Sequence, residues 1–349
     1  SEMCIRDSYC VDKNNACTPT EASVSTSPTG WKYAETKIAS EGVNYVRFYS
    51  TDVLGNKESL RSQGVKIDLT PPSIAIQHPV NGESYGSSDV DLNYTARDDN
   101  EVVECKYELD GVNTTLSKCE NTTMKGLSKG SHTVKVWAKD SAGNWGVSDS
   151  VTFNIDLTPP SITIQQPVNN EYYNSDDVDL NYTATDNVAV VECKYELDGT
   201  NYSLPKCENI TMEDLKEGSH TVKVWARDKA DNWGVSSTVK FTVDTTPPSL
   251  YATPAPTEWQ TSDVTITLYV SDSESGVDEA KYLWDNSDCW KGTSFNNGDT
   301  ITLINEGEHT LYLCAKDRAG NEATWQHTYK LDKTAPDVSI GHEELPCRA

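Results

Sequence analysis

The sequence predicts an all-β protein: tandem antiparallel β-sandwiches arranged as an elongated array. Three observations predict it. Residues 69–156 and 157–244 are two copies of one segment, 88 residues apart and identical at about seven positions in ten. A fixed period marks one packing unit per copy, and a unit of this size is long enough to fold as a domain. Inside each copy apolar and polar residues alternate with period two, and turn signals separate the runs at short, regular spacing. No stretch carries sustained helical periodicity.

The strands can be taken in order along residues 69–156. Val90, Leu92, Tyr94 and Ala96 alternate with Asp91, Asn93 and Thr95, the pattern of a half-buried strand. Val103, Cys105, Tyr107 and Leu109 alternate with Glu104, Lys106 and Glu108, and Asp110-Gly111 then supplies a tight turn. Val134, Val136 and Ala138 form the next inward face, with Lys135, Trp137 and Lys139 opposite. Asp140-Ser141-Ala142-Gly143-Asn144 reads as a turn, because Asp can bond the turn backbone and Gly can take the left-handed position. Val147, Val151 and Phe153 suit the last strand.

Four joints share a signature and recur every 88 residues: Asp68-Leu69-Thr70-Pro71-Pro72, Asp156-Leu157-Thr158-Pro159-Pro160, Asp244-Thr245-Thr246-Pro247-Pro248 and Asp332-Lys333-Thr334-Ala335-Pro336. Proline fixes φ and removes a donor, so these segments read as extended, semi-rigid connections. They divide the chain into modules at residues 9–68, 69–156, 157–244 and 245–332, with 333–349 opening a further one. By alignment of Tyr9-Cys10-Val11-Asp12 with Tyr107-Glu108-Leu109-Asp110, the first module starts inside its third strand. It is therefore expected to be a poorly stable half-sandwich with exposed sheet edges. Residues 1–8 resemble the translation of a transposase mosaic end used in sequencing libraries, and are expected to be an adapter scar outside the fold.

These joints, the Tyr-x-apolar-Asp strand, Gly130-Ser131-His132-Thr133-Val134 with its copy at Gly218, and the Asp-x-Ala-Gly-Asn turn resemble the Ig-like domain repeats of bacterial and archaeal cell-surface and secreted proteins. The resemblance covers residues 9–340. It implies stalks, adhesin segments or companion domains of secreted enzymes, and an extracellular or cell-surface location. Proteins of that type often lack cysteine, whereas each module here carries a pair.

The ten cysteines partition as Cys10/Cys17, Cys105/Cys119, Cys193/Cys207 and Cys289/Cys314, with Cys4 and Cys347 in the terminal fragments. One pair per module indicates disulfides and an oxidising compartment. Structural zinc would need four ligands in close pairs, and no Cys-x-x-Cys occurs. Cys314 aligns with Trp137 and Trp225 on the outward face of its strand, so its bridge is expected to clip a loop onto the sheet surface.

With 54 acidic against 29 basic residues, the net charge of −25 argues against nucleic acid and anionic lipid as partners. No apolar run has membrane-spanning length, so no direct membrane insertion is expected. The acidity suits solubility. It also raises the prospect of calcium at Asp68, Asp98, Asp156, Asp186 and Asp244, with Asp99 nearby, although no EF-hand loop is present and no cofactor is required. Six sequons offer glycosylation at Asn93, Asn113, Asn121, Asn181, Asn201 and Asn209, with Asn93 and Asn181 expected to face outward. Trp137 and Trp225 are candidate platforms for sugar rings, or else sheet cover packed on the stems of Lys135 and Lys223. His132, His220 and His309 recur at the start of one strand, which favours a structural role. No catalytic motif is present, and no enzyme is expected. The function read from the sequence is a non-catalytic extracellular spacer displaying another domain. The alternatives are an adhesive or carbohydrate-binding module, with a surface protein or glycan as partner, and an accessory region of a secreted hydrolase.

Overall fold

The computed structural model describes residues 6–21, 24–26, 32–34, 37–52 and 54–337. Cys4, Cys347 and residues 338–349 lie outside them. The chain divides between Leu157 and Thr158 into two compact units, each holding two modules.

In the first unit, the first module has strands β1 (Arg6–Asp12), β2 (Thr20–Glu21), β3 (Val24–Thr26), β4 (Lys32–Ala34), β5 (Gly42–Thr51) and β6 (Arg61–Ile67). Four form one antiparallel sheet in the order β2-β1-β5-β6, and β3 pairs β4. Arg6, Asp7 and Ser8 of the predicted scar pair with Thr51, Ser50 and Tyr49. Among the described residues of this module only Ser8, Pro19 and Asn44 are buried. A module with so little buried apolar surface has little to set against chain entropy.

The second module runs through β7 (Ser73–His78), β8 (Ser84–Tyr85), β9 (Val90–Arg97), β10 (Val102–Leu109), β11 (Val112–Leu116), β12 (Thr122–Met124), β13 (Gly130–Asp140), β14 (Trp145–Val147) and β15 (Val151–Ile155). A small sheet, β12-β9-β7, faces a larger one, β11-β10-β13-β15-β8, with β14 also on β13. Val90, Leu92 and Tyr94 from the small sheet meet Cys105, Val134, Val136, Ala138, Phe153 and Ile155 from the large one. This two-sided core is what makes the module a sandwich.

Two details differ from the sequence reading. The β10 face is broken by a bulge between Val102 and Glu104, so Val102 packs on the core while Val103 is 53% exposed. An extra residue in one strand shifts the inward set by one position, which strict alternation cannot show. The pairing is also not wholly antiparallel, because β8 lies parallel to β15.

The second unit begins with the third module, which repeats this plan. Its strands are β16 (Ser161–Gln166), β17 (Tyr172–Tyr173), β18 (Val178–Thr185), β19 (Val190–Leu197), β20 (Thr200–Leu204), β21 (Ile210–Met212), β22 (Gly218–Asp228), β23 (Trp233–Val235) and β24 (Val239–Val243). The sheets are β16-β18-β21 and β17-β24-β22-β19-β20. The fourth module has β25 (Ser249–Thr253), β26 (Val264–Ser271), β27 (Val277–Trp284), a 3₁₀ turn at Cys289–Lys291, β28 (Thr293–Ser294), β29 (Thr300–Leu303), β30 (Gly307–Asp317) and β31 (Glu322–Leu331). Its sheets are β25-β26-β29 and β28-β27-β30-β31. Buried Ile266, Leu268, Leu311, Leu313, Tyr329 and Leu331 fill its core.

The Pro-Pro segments are docked on the modules they lead into. A Cβ at Gly146 would lie 2.0 Å from the Pro72 carbonyl oxygen, and one at Gly234 would lie 2.1 Å from that of Pro160. Glycine is needed in β14 and β23 because the backbone of the connecting segment occupies the place of a side chain.

Candidate functional site

The residues singled out by sequence gather at the joints, on the sheet surface and in the cysteine loops. At three joints the first aspartate caps the backbone that follows: Asp68 Oδ1 accepts from Thr70 N at 3.1 Å, Asp244 Oδ1 from Thr246 N at 3.1 Å and Asp332 Oδ1 from Thr334 N at 3.0 Å. The connecting segment is then held from both sides. In the first unit Thr70 Oγ1 donates to Glu41 of the first module at 2.6 Å, while Asn144 of the second module donates to the Asp68 carbonyl at 3.1 Å. In the second unit Thr245 N donates to Glu217 of the third module at 3.0 Å. Ser275 N and Asn321 Nδ2 of the fourth donate to Asp244 Oδ2 and O at 3.0 and 2.7 Å. Sequence reading saw two prolines here and missed the clamp. Its trace is the acidic residue preceding glycine in Glu41-Gly42, Glu217-Gly218 and Glu306-Gly307. In the second module Lys129 stands at that place, 3.2 Å from the fully buried Asp156.

The candidate calcium residues sit at these joints. Asp68 and Asp98 come together with Asp140, and Asp244 with Asp272 and Asp317, each trio presenting oxygens within 4.8 Å of one another. Asp140, Asp272 and Asp317 are not among the sequence candidates for calcium; the sequence places Asp140 in a turn, and Asp317 stands at the same place of the fourth module. Asp140 and Asp317 keep that turn role as well, each accepting from the amides of a Gly-Asn pair and from the Asn side chain. Burial pushes the Asp140 carboxyl up, but the bonds from Asn144 and Gly143 outweigh it and hold the group below its usual 3.8. Asp186 is half-buried, and its Oδ1 accepts from Val188 N at 2.9 Å.

On the outward sheet face Trp137 and Trp225 are half-buried. The lysine over Trp137 is Lys106, 5.2 Å from its centroid and 5.1 Å from that of Trp145; Lys194 lies 5.5 Å from Trp225 and 4.7 Å from Trp233. Lys135 and Lys223, which the sequence also sets beside these rings, have partners across the sheet. Both stand opposite a glutamate, Glu108 and Glu196, and Lys223 pairs with its glutamate at 3.4 Å. A directly opposed cross-strand neighbour is nearer than the residue two along the same strand. The indole N–H groups of Trp137 and Trp225 are buried without a partner.

The four cysteine pairs are bonded, with Cα–Cα distances of 6.0, 5.2, 5.1 and 5.8 Å for Cys10–Cys17, Cys105–Cys119, Cys193–Cys207 and Cys289–Cys314. The last ties the 3₁₀ turn to β30. Of the sequon asparagines, Asn113, Asn121, Asn201 and Asn209 are exposed, and Asn93 and Asn181 are half-buried.

The recurring histidines form hubs, His132 and His220 buried and His309 half-buried. His132 Nδ1 lies 2.6 Å from Asp110 Oδ2, and its Nε2 lies 2.7 Å from the Ser128 carbonyl. His220 repeats this with Asp198 and Lys216, and His309 with Asp285 and Glu306. The aspartate also accepts from the next strand amide, Thr133 N at 2.8 Å. Both ring nitrogens of His132 face acceptors, which only the imidazolium can satisfy. The arrangement staples a hairpin turn to the neighbouring strand. A recess of about 230 Å³ lined by Leu204, Pro205, Lys206, Glu208, Asn209 and Ile210 is smaller than the ~300–1,000 Å³ usual for small-molecule sites. Among the described residues no helix is long and apolar enough to cross a membrane.

Residues 160–224 match the family model described as bacterial Ig domain. Halomucin of Haloquadratum walsbyi is 36% identical over 103 residues, a stretch that is 28% of this chain and 1% of that protein. Among solved structures, the fibronectin(III)-like modules of Clostridium thermocellum CbhA are 20% identical, covering 49% of this chain and 94% of that one with a TM-score of 0.37. A 1.5-MDa bacterial ice-binding adhesin, in a structure concerned with host cell surface retention, is 16% identical, covering 76% and 100% with a TM-score of 0.35. Residues 160–224 are thus similar to a bacterial Ig domain, and the second module repeats the strands and sheets of that segment, so the chain carries tandem Ig-like β-sandwiches.

Proposed function

We propose that the chain is a non-catalytic spacer of an extracellular or surface-attached microbial protein, transmitting position from module to module through clamped joints. The observation that carries this reading is the two-sided hold on the connecting segment. Glu217 fixes Thr245 from the third module, and Ser275 and Asn321 fix Asp244 from the fourth. A flexible tether needs no such bonds. The lysine-covered Trp137 and Trp225 favour a packed sheet surface over a sugar platform. The test places spin labels on exposed positions of the third and fourth modules. The Glu217→Ala, Asn321→Ala double variant is expected to broaden the distance distribution severalfold while both modules stay folded. Equal widths in variant and parent overturn the reading.

The joint trios also fit calcium. Their donors are hard carboxylate oxygens, close enough to share one ion. Asp68, Asp98 and Asp140 would hold one ion, and Asp244, Asp272 and Asp317 another, each tying the connecting segment to a loop and a turn. Calcium at a hundredfold its Kd is expected to add about 2.7 kcal/mol to the module holding it. A melting midpoint unchanged between calcium and chelator removes the ion from the reading.

A further inference from the structure

We propose that Asn113 and Asn201 carry N-linked oligosaccharides, and that these glycans shield the outermost strands β11 and β20. This rests on the extracellular reading above. Both strands end the larger sheet of their module, with pairing on one side only, to β10 and β19. An outermost strand presents unpaired N–H and C=O groups, and proteins normally blunt it with charge, proline, a bulge or shortness. Several other edges follow that rule, although β25 is also five residues long, uncharged and unbulged. β6 carries Arg61 and Lys66, β28 has two residues, and β7 and β16 are bulged and followed by Pro79 and Pro167. β11 (Val112-Asn113-Thr114-Thr115-Leu116) and β20 (Thr200-Asn201-Tyr202-Ser203-Leu204) are five residues long, unbulged in their pairing and without charge or proline. In a chain that is 24% charged, this leaves both strands as unguarded templates.

What these two strands share is a sequon. Asn113 stands opposite Glu108 and Thr115 opposite Lys106, so both sequon side chains lie on the outward face. Asn201 and Ser203 repeat this against Glu196 and Lys194. The structure separates these two sequons from the other four. Asn93 and Asn181 are half-buried in strands flanked on both sides. Asn121 and Asn209 spend their Oδ1 on the amides of Tyr94 and Tyr182 at 3.0 Å, and their sequon threonines donate to Asp91 and Asp179 at 2.7 Å.

The donor class is a lipid-phosphate-linked oligosaccharide. The asparagine Nδ2 forms a bond to the sugar anomeric carbon, the carbon–oxygen bond to phosphate breaks, the lipid phosphate leaves, and the displaced amide proton passes to the transferase base. The product is a bulky, hydrated group beside the open edge, which excludes a second strand.

The test secretes the full chain from a host with an asparagine-linked glycosylation pathway and maps occupancy by peptide mass spectrometry after enzymatic deglycosylation in heavy-oxygen water. Glycans are expected at Asn113 and Asn201, with occupancy severalfold above that at Asn93 and Asn181. Thr115→Ala with Ser203→Ala is expected to remove both glycans, while Thr115→Ser retains the first. Sedimentation is expected to show the glycan-free double variant self-associating where the parent stays monomeric. Bare Asn113 and Asn201 in a chain with intact disulfides overturn the assignment, as does higher occupancy at Asn93 or Asn181. A glycan-free variant that stays monomeric overturns the shielding role. Free thiols at Cys105, Cys119, Cys193 and Cys207 in the chain from its own host instead sink the extracellular reading, so the two failures are told apart.

Discussion

Replacing Cys105 and Cys119 together by alanine is expected to lower the stability of the second module by about 3 kcal/mol, the chain-entropy value for a loop of roughly 15 residues. The bridge closes a span of 14 residues between β10 and the loop before β12. Cys105 is fully buried in the module core, so the variant also loses packing around the sulfur. Against a typical domain stability of about 5–15 kcal/mol this is a large fraction. The near-identical third module, with Cys193–Cys207 intact, serves as the reference in the same chain. Hydrogen exchange resolved by peptide separates the two. Protection in the second module should fall by about two orders of magnitude while the third is unchanged. Equal protection in both would show that the bridge contributes nothing to this fold.

The second large effect is expected at the histidine hub. His132→Ala should cost about 2–3 kcal/mol, because it removes hydrogen bonds made by a charged group and leaves a carbonyl without its donor. The hub also sets a pH window. Burial lowers the His132 pKa, but the Ser128 carbonyl and the Asp110 carboxylate outweigh it and raise the group above its ordinary 6.5. For His309 the bond it donates to Asp285 is the leading cause of the same rise. A histidine raised in the folded state stabilises fully below 6.5, and the contribution is lost as pH climbs through the raised value. For Asp110, burial pushes up, while His132 and Thr133 outweigh it and hold the carboxyl below 3.8; Asp285 behaves likewise. That contribution is present above about 4 and is lost as pH falls through the lowered value. The melting midpoint of the second module should therefore be flat between about pH 4 and 6.5 and fall on either side. In His132→Ala the alkaline fall should disappear. A midpoint that keeps rising above pH 7 would refute the charged hub.

The hub shows how legibility divides. His132 and Asp110 both stood out in the sequence, one as a recurring residue at the start of a strand and the other as a turn former. Their meeting did not, because it depends on β10 and β13 lying side by side across 22 residues. Asp140 followed the same course. Its place in the Asp-x-Ala-Gly-Asn turn is local, and its meeting with Asp68 and Asp98 is not. The lysine over Trp137 is Lys106, which the pairing of β10 with β13 brings there and spacing along β13 does not reveal.

What the sequence determined by itself is whatever local periodicity and repetition encode: the 88-residue module, the inward faces of β9 and β13, the hairpin at Asp110-Gly111, and one cysteine pair per module. Steric limits and turn chemistry act over a few residues, so a linear string carries them. Tertiary structure alone decided the bulge at Val102–Glu104, the lysines over Trp137 and Trp225, the clamps at Asp68 and Asp244 and the exposure that separates Asn113 from Asn93. Each of these depends on strand register and on contacts between segments tens of residues apart. No short-range pattern fixes such contacts until the sheets have closed on one another.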